Sequence, residues 1–191
     1  MRPTGLLPAL AIFLAVLAVE ACSDQLSLLP PQFRNEEDTI IVYAIRGTPL
    51  DRASAYDVYS RNVVRLDQRA VFDFAYDIDD QGRNVFLPYG AIIATGGQSN
   101  GLPGFQPTNT DFDQISIAEQ LGYITKDTIE VQEGMTLYLR SSLNGTCSLG
   151  IPYYAKVQVL GMDPEQRSLR FRVLANINCG YRGLTIGFPN K

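Results

Sequence analysis

The sequence predicts an all-β protein, an antiparallel β-sandwich or an irregular barrel with one short helix. Apolar and polar residues alternate in short runs, as in residues 135–140 (MTLYLR), where Met135, Leu137 and Leu139 would share one face. Alternation with one polar face is typical of antiparallel sheets. Turn residues separate the runs, and only one stretch has helical spacing. Many short strands with one helix indicate a sandwich or a barrel.

About nine runs carry this strand signal. The first (DTIIVYAIR) is rich in β-branched residues and stops at the Gly-Thr-Pro turn at 47–49. No internal repeat with a fixed period is evident. The predicted strands are 38–46, 62–66, 69–77, 84–89, 91–95, 128–132, 135–140, 153–160 and 168–175.

One short helix is predicted over residues 113–121. Ile117, Leu121 and Ile124 follow one another at helical spacing, and Gly122 would end the helix as its C-cap. Just before this helix, residues 96–111 (GGQSNGLPGFQPTNTD) are the longest stretch with a loop composition. Such a loop is either a surface crossover or a binding loop, which would here carry Phe105.

Residues 77–82 (DIDDQG) have two possible readings. Alternate acids before a glycine are similar to the start of an EF-hand calcium loop, but the later ligand positions hold Gln81 and Pro88. Strand-like runs lie on both sides, so we predict a hairpin turn. Gly82 would supply the left-handed conformation and Asp80 the side-chain cap. No metal site is predicted.

Composition excludes several classes of function. The chain has 191 residues, no histidine and a formal net charge of −4. The absence of histidine removes Ser-His-Asp and Cys-His catalysis and His-ligated zinc. The acidic balance argues against nucleic acid as a partner. No cofactor motif is present. The length favours one domain, which we place at residues 38–191.

The N-terminal sequence has the pattern of an export signal. Residues 5–19 form an apolar run of fifteen residues behind the single charge of Arg2. This run is shorter than the roughly 20 residues of a membrane-spanning helix and has the length of a signal peptide's apolar region. The sequence Val19-Glu20-Ala21-Cys22 follows. It resembles the lipobox of bacterial lipoproteins, although Glu20 departs from the usual small residue.

This resemblance implies a bacterial lipoprotein anchored in the cell envelope. Residues 1–21 would be the signal peptide, Cys22 the lipidated residue, and residues 22–37 a tether. Ser23 after the cysteine is similar to lipoproteins of the outer membrane, facing the periplasm or the cell surface. The alternative is ordinary cleavage after Ala21, without lipid.

The number of cysteines bears on the same question. The chain has three cysteines, Cys22, Cys147 and Cys179. With Cys22 lipidated, the other two are free to form a disulfide in an oxidising compartment. Closing this segment of 33 residues would stabilise the fold by about 3.7 kcal/mol in the chain-entropy model. The alternative is two buried thiols.

A basic surface is predicted on the last strands. If the strands containing residues 138, 156 and 170 are neighbours, one polar face carries several cations and a tyrosine. Arginine binds carboxylates and phosphates, so the partner would be an anionic glycan, a lipid or an envelope protein. The alternative is a solvated face with cross-strand ion pairs, for instance to Glu130. The predicted face comprises Tyr138, Arg140, Lys156, Arg170 and Arg172.

Three functions follow from these observations. The first, which we favour, is a lipid-anchored β-sandwich with a binding or scaffolding role and no catalytic activity. The second is an accessory periplasmic subunit of a membrane complex that retains its N-terminal helix. The third is a glycan hydrolase that uses paired carboxylates. The acids available for such a pair are Asp73, Asp77, Asp111, Asp113, Glu119 and Glu130.

Overall fold

The computed structural model describes residues 30–68, 71–93, 101–143, 147 and 150–189. Predictions on residues 1–29, including the signal peptide and Cys22, lie outside the described residues. A compact unit begins at Pro31. Its strands are β1 Glu36–Tyr43, β2 Ala55–Asp57, β3 Asn62–Val64, β4 Phe74–Ile78, β5 Asn84–Pro88, β6 Gly104–Thr108, β7 Ile129–Glu130, β8 Thr136–Arg140, β9 Tyr154–Asp163 and β10 Ser168–Asn176.

The strands form two antiparallel sheets of five strands each. The front sheet has the order β1-β10-β9-β8-β6 and the back sheet β3-β2-β4-β5-β7. Within the described residues neither sheet closes on itself, so the prediction of an antiparallel β-sandwich is confirmed and the barrel alternative is wrong. No helix in the described part of the chain is long and apolar enough to cross a membrane.

The core between the sheets is built largely of aromatic rings. The ring centroids of Phe74 and Phe86 are 4.8 Å apart, and Phe105 lies 4.8 Å from Phe74 and 5.2 Å from Phe86. Phe105 lies on β6, a strand that falls within the predicted loop 96–111, and its side chain is fully buried. The hypothesis of a binding loop carrying Phe105 is therefore wrong, while residues 96–100 of that loop are outside the described residues.

The helix predicted over residues 113–121 is absent. Only the 3-10 turn Phe112–Gln114 is helical there. Beyond it, Ala118 N–H donates to the Arg182 carbonyl and Leu184 N–H donates to the Ser116 carbonyl, both at 2.8 Å. Pairing with the C-terminal segment replaces the hydrogen bonds of a helix. The short helix instead lies at Tyr89–Ile92 (α1), overlapping the predicted strand 91–95.

The hairpin predicted at residues 77–82 is confirmed between β4 and β5. Gly82 has a φ of +77°, the left-handed conformation that favours glycine. The side-chain cap is Asp79 rather than Asp80, since one Asp79 carboxylate oxygen accepts N–H bonds from Gln81 and Arg83 at 2.9 Å. Asp80 instead pairs with Arg46.

The predicted disulfide joins Cys147 and Cys179, whose Cα atoms are 5.5 Å apart. Cys147 is buried against the main core, and Cys179 follows directly after β10. The bond therefore ties the connection between β8 and β9 to the C-terminal segment. The alternative of two buried thiols is wrong.

Candidate binding surface

The outer face of the front sheet carries the predicted basic residues, but half of it is covered. Strands β8, β9 and β10 are neighbours as predicted, with Tyr138 beside Lys156 and Arg172 beside Gln158. Residues 112–124 and 181–187 pack over this face. The small apolar cluster beneath them comprises Phe112, Ile115, Ala118, Tyr138, Tyr154, Leu174 and Leu184.

Lys156 is part of this covered half. Lys156 is 4% exposed, and its Nζ donates to the carbonyls of Phe112 (2.8 Å) and Ile115 (2.9 Å). The ammonium also lies 4.5 Å from the centroid of the Phe112 ring. Burial lowers its pKa from the usual value for lysine. Lys156 thus holds the covering segment and offers no charge to a partner.

Arg172 contacts the same ring. Its guanidinium lies 4.0 Å from the Phe112 centroid, donates to Asp113 at 2.9 Å and lies 3.5 Å from a carboxylate oxygen of Glu37. This contact holds the pKa of Asp113 below its usual value. The charge of Arg172 is therefore neutralised within the fold, as the ion-pair alternative predicts, although Glu130 pairs with Arg83 instead.

Tyr138 and Arg140 complete the covered half. Tyr138 is buried in the small cluster. The Arg140 guanidinium lies 4.9 Å from the Tyr123 centroid and donates to the Leu102 carbonyl at 3.1 Å. For these two residues, as for Lys156 and Arg172, the prediction of an exposed basic face is wrong. The alternation of residues predicted which side chains point away from the core, but it did not predict which segment packs over them.

Arg170 differs from the other four predicted residues. It is exposed, and among the described residues it forms no hydrogen bond and no ion pair. On β10 it lies between Ile41 of β1 and Gly161 of β9. A β-bulge follows at the Arg170–Phe171 step, a feature that redirects side chains at a sheet's end. Arg170 therefore faces solvent on the uncovered half.

Arg170 lines one of two neighbouring grooves on the surface. The first has a volume of about 240 Å³ and contains Arg170. The second, about 180 Å³, contains Arg52 and Arg167. The grooves are neighbours because Tyr43 in the second is paired with Ser168 in the first. The first groove is lined by Ile41, Gly161, Met162, Asp163, Ser168 and Arg170.

Local contacts hold the other two guanidinium groups. Arg52 donates to the Tyr43 hydroxyl at 3.1 Å, and its guanidinium lies 4.8 Å from that ring's centroid. Arg167 Nε donates to the Arg46 carbonyl at 2.9 Å. Gly47 has a φ of +77°, which favours glycine, and a Cβ added there would lie 2.8 Å from Arg167 Nε.

We call Arg52, Arg167 and Arg170 the arginine end of the sandwich. In the described part of the chain none of the three forms an ion pair, although Asp163 and Glu165 also line the grooves. One Asp163 oxygen accepts the N–H groups of Glu165 and Gln166, closing the β9–β10 turn. A guanidinium group without a carboxylate partner can bind carboxylate, phosphate or sulfate through paired donors.

Sequence reasoning identified Arg170 but missed Arg52 and Arg167. The residues between the two predicted strands ending at 160 and beginning at 168 indicate a hairpin, which would have brought Arg167 to the end of β10. No sequence pattern places Arg52 there, because it reaches the site through a tertiary contact with Tyr43.

The six acids considered for glycan hydrolysis lie in several different environments. Asp111 and Glu119 are exposed. Within the described ranges, no group of three or more Cys, Asp or Glu side chains is placed to hold a metal ion. Ion pairs engage three of the remaining acids: Asp77 with Arg46, Asp113 with Arg172 and Glu130 with Arg83.

Asp73 is the exception, since it is buried without a cation. Its two carboxylate oxygens accept N–H bonds from Val58 (2.8 Å) and Ser142 (2.9 Å). Burial raises the pKa of Asp73 to about 7, against the lowering effect of these two donors. The carboxylate therefore joins the segment that follows β2 in the back sheet to the segment that follows β8 in the front sheet.

No protein-family model matches this chain, and no curated protein matches its sequence.

Proposed function

We propose that this protein is a lipid-anchored β-sandwich of the bacterial cell envelope that binds an anionic partner through its arginine end. The roles of the three cysteines support the proposed lipid anchor. Cys147 and Cys179 form the disulfide, so this sequence contains no further cysteine with which Cys22 could pair. Disulfides belong to oxidising compartments, and Cys22 follows an export-like apolar run.

The arginine end supports the proposed binding role. Among the described residues, Arg52, Arg167 and Arg170 have no carboxylate partner, and the hydrogen bonds of Arg52 and Arg167 use only some of their donors. The other arginines of the predicted face are engaged by Phe112, Asp113 and Tyr123. A negatively charged glycan, lipid head group or protein segment has the chemistry that these groups recognise.

The anchor is tested by the mass of the protein purified from envelopes. We expect the mature chain to begin at Cys22 and to carry lipid mass. Cys22→Ser should remain unlipidated, whereas Ser23→Ala, one residue away, should mature like the wild type. A chain cleaved after Ala21 without lipid, or one that keeps Met1, would contradict the anchor.

The binding role is tested with the full-length protein and an immobilised sulfated polysaccharide as the anionic probe. We expect Arg170→Gln to lose roughly tenfold in affinity, since a charge-assisted contact contributes about 1.5–3 kcal/mol. Arg65→Gln is the matched control, because it removes the same charge from an arginine that is paired with Asp67 on another strand connection. Equal binding by the two variants would mean that only net charge matters and would overturn the site.

A further inference from the structure

The two ends of the described chain meet at one end of the sandwich. The N–H of Asn35 donates to the Gly187 carbonyl at 2.7 Å, and the N–H of Gly187 donates back at 3.0 Å. The buried Asn35 amide donates to the carbonyls of Gly183 and Thr185. Both terminal segments are therefore fixed on the domain just before β1 begins.

Three large apolar side chains are exposed at this junction. Phe33 is 47%, Phe188 53% and Ile186 71% exposed. The guanidinium of Arg34 lies 5.3 Å from the centroid of the Phe188 ring, and in the described part of the chain it forms no ion pair. We call Phe33, Arg34, Ile186 and Phe188 the terminal rim.

The backbone of the rim is well held, so its exposure is not the result of a loose terminus. The side-chain oxygen of Asn178 accepts the N–H groups of Gln32 (2.7 Å) and Phe33 (2.9 Å). The Asn178 amide donates back to the Phe33 carbonyl at 2.8 Å. The fold thus presents aromatic rings and a cation to the outside at a fixed position.

We propose that the terminal rim contacts the phospholipid bilayer that holds the lipidated Cys22. This inference rests on the proposed anchor. Only eleven residue steps separate Cys22 from Phe33, so the first residue of the rim remains within about 40 Å of the anchored residue even in a fully extended chain. Aromatic and aliphatic side chains beside an arginine suit the bilayer interface, where rings lie among the head groups and the cation meets phosphate.

The same placement orients the binding surface. β1 begins beside the rim at Glu36 and ends beside the arginine end at Tyr43. Eight residues of strand span roughly 25 Å. With the rim on the bilayer, the arginine end points away from that membrane, which favours an anionic glycan or protein segment as its partner over a head group of the same bilayer.

The chain lacks tryptophan, which permits a direct test. Full-length lipidated Phe188→Trp and Phe33→Trp are each reconstituted into vesicles of phosphatidylethanolamine and phosphatidylglycerol with brominated acyl chains. Bromine quenches only those indoles that reach the bilayer. We expect about a twofold or larger loss of emission, relative to unbrominated vesicles, for both rim variants. Leu50→Trp is the control, since Leu50 is 78% exposed and follows β1 at the opposite end of the sandwich.

The outcomes separate the two proposals. Rim tryptophans that are quenched no more than Leu50→Trp, in protein that floats with the vesicles, overturn the rim contact and leave the anchor intact. A blue-shifted but unquenched rim tryptophan has the same meaning, because a protein surface then covers the rim. Wild-type protein that does not float with the vesicles overturns both the anchor and the rim contact.

Discussion

Replacing Phe112 should reveal how the covered half of the front sheet is held. The residue is 1% exposed, and its ring lies between Lys156 Nζ at 4.5 Å and the Arg172 guanidinium at 4.0 Å. In Phe112→Leu most of the apolar burial remains, whereas the aromatic face is lost. A change of apolar shape costs up to about 1.5 kcal/mol, and each cation over a ring contributes at least about 0.5–1 kcal/mol.

We therefore expect Phe112→Leu to lower the free energy of unfolding by about 2 kcal/mol. For a domain of this size, that corresponds to a fall in Tm of roughly 4–8 °C. Urea titration followed by circular dichroism gives the free energy, and a thermal scan gives Tm. Phe112→Ala should lose about 3–5 kcal/mol, because the cavity is added to the lost contacts.

A double-mutant cycle with Lys156→Met isolates the cation–ring contact. The methionine variant leaves the Phe112 and Ile115 carbonyls without their donor in both backgrounds, so that cost cancels. We expect a coupling energy of about 0.5–1 kcal/mol between the two positions. Phe72→Leu, in the separate cluster around Tyr89, should show none. A Phe112–Lys156 coupling of zero would refute this account of the ring.

Two further predictions concern the disulfide end of the sandwich. The pKa of Asp73 is about 7 in the fold, above the 3.8 of a free aspartate, so its contribution to stability is complete below about pH 4 and is lost as the pH rises to about 7. At about 1.4 kcal/mol per pKa unit the loss is roughly 4 kcal/mol. Urea titrations across this pH range should show that slope in the wild type and not in Asp73→Asn; equal slopes would contradict it. Replacing Cys147 and Cys179 together with serine should cost about 2–5 kcal/mol. The wild type should lose the same amount in reductant, and an unchanged Tm there would count against a structural role for the bond.

The strand pattern predicted the front sheet well where one face of a strand meets the core. Residues 135–140, 153–160 and 168–175 became β8, β9 and β10, because alternation places one set of side chains between the sheets. β6 was missed since its composition is that of a loop. Pro107 is tolerated there because β6 is an edge strand, where no ladder bond is lost on the open side.

The wrong prediction of a helix over residues 113–121 has a physical cause. Ile117, Leu121 and Ile124 have helical spacing, yet Ile117 and Leu121 are exposed. The segment is held through its backbone by the C-terminal residues and through Phe112 and Ile115 by the sheet. Partners that are distant in sequence decided its conformation, and local spacing contains no information about them. For the same reason, the sequence pattern did not predict that residues 112–124 and 181–187 cover the basic face.

The pairing of β1 with β10 has a consequence for how this chain acquires its structure. The first strand needs the last one, and Asn35 needs the residues around Gly187. Ordering the first strand must therefore wait until nearly the whole polypeptide is present, because contacts of such high sequence separation form only after a long loop closes. For a chain exported N-terminus first, as we propose, β1 would lead the domain and would stay unpaired until β10 had followed it across the membrane.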